Sequence, residues 1–234
     1  MVSRPYVELT AGVMGSFGAE VGMADGAFSV APGGAGYLAA ASYEVEPDAS
    51  GAAYFWAAAA MCGGRARVLG LGPASRQADV AFIDVLEAMG AEVDRAPAGI
   101  CVARGSPLHG IEVDLAHLSD TAPTLAVVAA LADGPTTVRG IGFIRRKESD
   151  RIAAVVTELR RCGIGADELP DGFVVRPAPV RPARVRTYDD HRMAMSFALL
   201  GLARPGIEIE GPGCVAKTFP TFWEDLEQLR GRHG

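Results

Sequence analysis

Asp120-Thr121-Ala122-Pro123-Thr124-Leu125-Ala126-Val127-Val128-Ala129-Ala130-Leu131-Ala132 is an aspartate followed by a helix-length run that is apolar nearly all round, closed by Gly134. The pattern has two counterparts. Asp48 precedes Ala52 to Met61 and then Gly63-Gly64, and Asp190 precedes Met193 to Ala203 and then Gly206. The three aspartates stand 72 and 70 residues apart. A helix without a polar face is buried on every side. Each run is followed by a β-rich stretch: Arg67 to Leu69, Thr137 to Arg139, Ile207 to Ile209. The first two copies then add an amphipathic helix and a hairpin-like pair of strands. Val80 to Met89 leads to Ala91–Val93 and Ile100–Val102, and Ile152 to Arg161 leads to Ile164–Ala166 and Phe173–Val175. The unit reads β-α-β-α-β-β three times over, and a period of this length marks a repeated supersecondary unit. The expected fold class is therefore α+β (mixed α/β): three βαβαββ repeats in an inside-out domain, with sheets outside and buried helices packed together.

The repeat also aligns charge. Arg145 to Arg151 holds four cations, two carboxylates and one hydroxyl, directly before Ile152, Val155, Val156 and Leu159 at helical spacing. Glu148 and Asp150 suit a helix N-terminus, whereas Lys147 and Arg151 make sense there if an anion must be held. A solvated, charged helix start is the plainer alternative. Lys147 follows Asp120 by 27 residues and Lys217 follows Asp190 by the same offset; from Asp48 that offset reaches Ser75, beside Arg76. N-capping alone would account for each aspartate. Equivalent positions of neighbouring repeats meet at one end, which would gather Asp120, Lys147, Glu148, Arg151, His191, Arg192 and Lys217. Five cations around two carboxylates point to a multiply anionic substrate with acid/base carboxylates beside it.

Composition narrows the alternatives. The chain has 234 residues, 49% hydrophobic and 21% charged, with a net charge of −6. That is a globular composition, and the charge argues against nucleic acid as a partner. The apolar runs are too short to span a bilayer, and the start carries no secretory segment. Cys62, Cys101, Cys162 and Cys214 stand alone, as reduced thiols of a cytoplasmic protein without a metal site do. Before the repeats, Val7 to Val21 reads as a strand or a helix ending near Gly18, Phe28 to Val30 as a short strand, and Pro32 to Gly36 as a break. Tyr43 to Glu46 alternates like a strand. Residues 1–45 thus read as the tail of another domain, and 46–234 as the repeat domain.

Four motifs in order, Glu46–Ser50, Arg146–Ile152, Asp190–Met195 and Gly213–Pro220, resemble those of 5-enolpyruvylshikimate-3-phosphate synthases, as does Ser3–Tyr6. The resemblance implies two domains of three such units each, with the active site in the cleft between them. It implies enolpyruvyl transfer from phosphoenolpyruvate to the 5-hydroxyl of shikimate-3-phosphate, without a cofactor. Asp120 would serve as base at the shikimate hydroxyl, and Glu148 would handle the proton at the methylene carbon. Arg151, Arg192 and Lys217 would clamp phosphoenolpyruvate, and His191 would lie beside the leaving phosphate. Lys147, Ser3 and Tyr6 would contact shikimate-3-phosphate. The chain departs from the family in two respects. It has about half the expected length, so that a monomer would need the missing N-terminal half for a complete site. Phe143 stands where many members carry an asparagine facing shikimate. A truncated or complementing half without activity of its own, and a UDP-sugar enolpyruvyl transferase, are the alternative readings.

Overall fold

The computed structural model describes residues 4–24, 26–31, 37–38 and 42–231. It begins with α1 (Arg4–Ser16) and the antiparallel pair β1 (Val21–Ala24) and β2 (Ala27–Val30). The stretch from Val7 is thus helical and stops just before Gly18, which takes a left-handed φ of 85°. Residues 42–48 form no strand. Tyr43 to Glu46 has the side-chain alternation of a strand, but a strand also needs a neighbour for its N–H and C=O groups.

The repeats follow. The first comprises α2 (Ala49–Cys62), β3 (Arg65–Leu69), α3 (Phe82–Ala88), β4 (Glu92–Ala96) and β5 (Gly99–Ala103). The second comprises β6 (Glu112–Asp114), α4 (Ala122–Ala129), β7 (Thr136–Arg139), α5 (Arg151–Arg161), β8 (Gly165–Leu169) and β9 (Gly172–Arg176). The third comprises β10 (Ala183–Arg186), α6 (His191–Ala203), β11 (Ile207–Glu210) and α7 (Phe222–Gly231). The second copy carries the whole unit, while among the described residues the first shows no leading strand and the third no closing hairpin.

α2, α4 and α6 pack on one another at the centre. Every residue of α4 is buried, and α2 leaves only Phe55 and Cys62 outside the core. Alanine-rich surfaces let these helices approach closely. Thr124 of α4 and Ser196 of α6 share a buried hydroxyl hydrogen bond of 3.0 Å across the contact. The sheets lie outside: β3-β5-β4, β6-β7-β9-β8 and β10-β11, with β6–β7 and β10–β11 parallel and the remaining pairs of these sheets antiparallel. Glycine marks the same point in two repeats. A Cβ at Gly99 would run into the Val68 carbonyl oxygen, and one at Gly172 into the Val138 carbonyl oxygen, so each hairpin closes on its neighbour only through glycine. No helix among the described residues is long and apolar enough to cross a membrane.

Candidate active site

Three helix starts and two 3-10 turns converge at one end of the central helices. Asp150 caps α5 by accepting from the Ala153 N–H at 3.0 Å, which leaves Arg151 as the first helical residue. The Arg151 side chain is only 1% exposed and spends its donors on carboxylates. Nε donates to Asp190 Oδ2 at 2.8 Å, one Nη to Asp120 Oδ1 at 3.0 Å, and the other to Glu148 Oε2 at 2.6 Å. Asp190 caps α6, accepting from the Arg192 N–H at 2.9 Å, and also accepts from the Ser149 hydroxyl at 2.9 Å.

Asp48 and Asp190 cap their helices as the repeat suggests, but Asp120 does not. It sits inside the 3-10 turn Ser119–Thr121, and Thr121 stands at the N-cap position of α4. Freed from capping, its second oxygen accepts from Arg192 Nη2 at 2.8 Å, and Lys147 Nζ lies 3.9 Å from the first. Lys217, from the 3-10 turn Pro212–Lys217, donates to Glu148 Oε1 at 2.7 Å.

Asp120, Lys147, Glu148, Arg151, Arg192 and Lys217 therefore form one ionic network. Its floor is dry, with Asp190 at 0% and Arg151 at 1% side-chain exposure, and its rim is wet, with Lys147 at 34% and Lys217 at 57%. A polyanion approaching the rim meets the exposed lysines first and the buried guanidinium floor beneath. Partial burial opposes ionisation of Glu148. The Lys217 hydrogen bond, a backbone hydrogen bond and the Arg151 and Lys217 charges outweigh it and hold the carboxyl at about 2. His191 is buried beside the network, its Nδ1 3.9 Å from Asp190 Oδ1 and without a hydrogen-bond partner. Burial, together with the Arg192 charge, lowers its pKa against the opposing pull of Asp190.

Tyr6 reaches the same end from α1. Its hydroxyl donates to both oxygens of Asp79, at 3.1 and 3.2 Å, and burial pushes the phenol pKa up. Ser3 lies outside the described residues. Ser75, the counterpart of Lys147 by offset, turns away and donates to Glu46 at 2.7 Å. Phe143 is partly buried and packs against the core.

Two neighbours of the network escaped the sequence reading. Asp79, 3% exposed, accepts from Ser50 Oγ at 3.0 Å, and burial, then the Asp120 charge, raise its pKa. It stands 31 residues after Asp48, as Arg151 stands after Asp120, so the repeat offset could have found it. Tyr54 of α2 is buried beside Arg192, its hydroxyl outside hydrogen-bond geometry. An apolar run containing a single tyrosine gives no sign of that.

A family model described as EPSP synthase (3-phosphoshikimate 1-carboxyvinyltransferase) matches residues 1–226. The 3-phosphoshikimate 1-carboxyvinyltransferase of Nostoc punctiforme (strain ATCC 29133 / PCC 73102) is 45% identical over 230 residues, which cover 98% of this chain and 54% of the relative. A 2.37 Å structure of EPSP synthase from Acinetobacter baumannii superposes with a TM-score of 0.80 at 29% identity, covering 92% of this chain and 52% of that one. The enolpyruvyl transferase NikO from Streptomyces tendae shares the fold, with a TM-score of 0.75 at 24% identity over 96% of this chain and 53% of that one. The chain spans about half the length of the curated relatives it matches. With the repeat, the charge network and a family match over nearly its whole length in agreement, the chain belongs to the EPSP synthase (3-phosphoshikimate 1-carboxyvinyltransferase) family.

Proposed function

We propose that this chain supplies one half of a site that transfers the enolpyruvyl group from phosphoenolpyruvate to the 5-hydroxyl of shikimate-3-phosphate, with release of phosphate. The observation that carries this is the network itself: Arg192, Lys147 and Lys217 stand around two partly accessible carboxylates, over a guanidinium that three carboxylates hold in place. Forked guanidinium donors suit both the phosphate and the carboxylate of phosphoenolpyruvate. Arg151, Arg192 and Lys217 make that clamp, and Lys147, Tyr6 and Ser3 serve to bind shikimate-3-phosphate.

In the addition step the hydroxyl oxygen bonds to C2 of phosphoenolpyruvate while its proton passes to Asp120, and C3 gains a proton from Glu148. In the elimination step phosphate leaves C2 beside His191, taking up the proton held by Asp120, and Glu148 takes a proton back from C3. A carboxyl held at about 2 is ionised at neutral pH and carries no proton to give. An incoming anion that shares Lys217 and Arg151 weakens their hold on Glu148 and adds its own negative charge, and both effects raise the Glu148 pKa toward the working range. Residues 46–234 carry this half of the site and residues 1–45 belong to the other domain. The chain is monomeric and cytoplasmic, and completes its site with the half of the family length that lies outside it.

Calorimetric titration of the chain with phosphoenolpyruvate, with inorganic phosphate as comparator, tests the clamp. Weak, saturable binding above that of phosphate is expected. Arg192→Ala should weaken it by about 10- to 150-fold, the scale of a hydrogen bond to a charged group worth about 1.5–3 kcal/mol. Affinity unchanged by Arg192→Ala would remove that residue from the site, and no preference over phosphate would sink the reading.

A further inference from the structure

Glu158 lies on α5 seven residues after Arg151, and so on the same face two turns along. It is fully buried, yet it takes no part in the network described above. A carboxylate in that position is costly unless donors surround it. Three do. Oε1 accepts from the Tyr188 hydroxyl at 2.7 Å, and Oε2 accepts from the Arg186 backbone N–H at 3.1 Å and from Arg161 Nε at 2.9 Å.

Two of these donors frame an unusual turn. Tyr188 and Asp189 both have a φ of 56°, in the left-handed region, and neither is glycine. Such residues are strained and persist only where their surroundings over-determine them. The turn is closed by the Asp190 N–H donating to the Thr187 carbonyl at 2.9 Å, and it leads straight into Asp190, His191 and Arg192. One face of α5 therefore grips the segment at two points: Glu158 takes Arg186 and Tyr188, and Arg151 takes Asp190.

We infer that Glu158 is a positioning residue: through Tyr188 and the Arg186 amide it holds the left-handed turn, and thereby sets Asp190, His191 and Arg192 against the ionic network. The importance of that placement rests on the reading of the network as a substrate site, whereas the geometry and its test involve no substrate. A residue serving packing alone would affect stability without affecting where His191 sits. The charges facing His191 are Asp190, Arg192, Glu148 and Arg151, none of which the test alters.

The test is an NMR titration of the His191 imidazole in the full chain, with the signal assigned by His191→Gln. In Glu158→Ala the turn should relax, the imidazole line should shift, and the titration midpoint should move up from its burial-lowered position. Glu158→Gln, which keeps an acceptor for Tyr188, should fall between parent and Glu158→Ala. Tyr188→Phe should move His191 in the same direction without removing any charge, and it still decides the matter if Glu158→Ala fails to fold. Arg161→Ala, which removes a partner of Glu158 but no hydrogen bond of the turn, should leave the His191 line in place. A His191 line and midpoint equal to the parent's in folded Tyr188→Phe or Glu158→Ala would overturn the inference. Loss of phosphoenolpyruvate binding would not bear on it.

Discussion

Arg151 holds the site together because only a guanidinium can do so. It carries five N–H donors in a rigid fork, and here they reach three carboxylates from three chain segments. A lysine in its place would offer one point charge and leave the fully buried Asp190 short of a partner. Glu148 shows the same electrostatics in a titratable form. Its pKa falls from the ordinary 4.5 to about 2. A depressed carboxyl pKa contributes stability that is fully present above the unfolded value and is lost as the pH falls through the folded one. The difference in melting temperature between the chain and Glu148→Gln should therefore be constant above a pH of 4.5 and shrink steadily down to about 2. Thermal unfolding at stepped pH measures this, and a difference that stays level across that window would show that Glu148 is not held by Lys217 and Arg151.

At the scale of elements, the deciding feature is three helices with no solvent face. Their mutual packing leaves few ways to satisfy a polar side chain, and Thr124 and Ser196 satisfy each other. Thr124→Val should cost about 1–3 kcal/mol, because it strands the Ser196 hydroxyl in the core. Thr124→Val with Ser196→Ala should regain most of that loss, since removing both partners is far cheaper than removing one. Urea denaturation of the single and double variants measures the coupling, and strictly additive losses would mean that the hydroxyls do not depend on each other.

For the whole molecule, exposure is unevenly shared. Among the described residues, seven of the nine exposed large hydrophobics, Val13, Met23, Val30, Tyr37, Leu38, Tyr43 and Val45, precede residue 46. No residue of α1 is buried; Tyr6 hydrogen-bonds Asp79 of the repeats, and the Arg76 side chain lies against Gly12. Limited proteolysis should accordingly cut first between residues 17 and 45 and leave the repeats intact, because local opening is easiest where few apolar groups are buried. First cleavage between residues 125 and 160 would contradict this picture of the core.

The sequence alone determined the repeat, because buried helices and their flanking strands leave a periodic apolar pattern that needs no knowledge of distant contacts. The constant offset between Asp120 and Lys147 and between Asp190 and Lys217 brought most of the network into view for the same reason. Folding decided what those charges do to one another. Asp120 does not cap α4, and Arg151 and Arg192, both from other helix starts, take its oxygens instead. Tyr43 to Glu46 forms no strand although it alternates like one, since pairing is made between segments and not within one. Glu158 became visible as a buried acid only when Tyr188 and Arg186 arrived around it, and Asp79, whose position the repeat offset marks, gained its partners Ser50 and Tyr6 only in the fold. Local pattern states which surface a residue prefers. Only the assembled chain supplies the partner that makes a buried charge affordable.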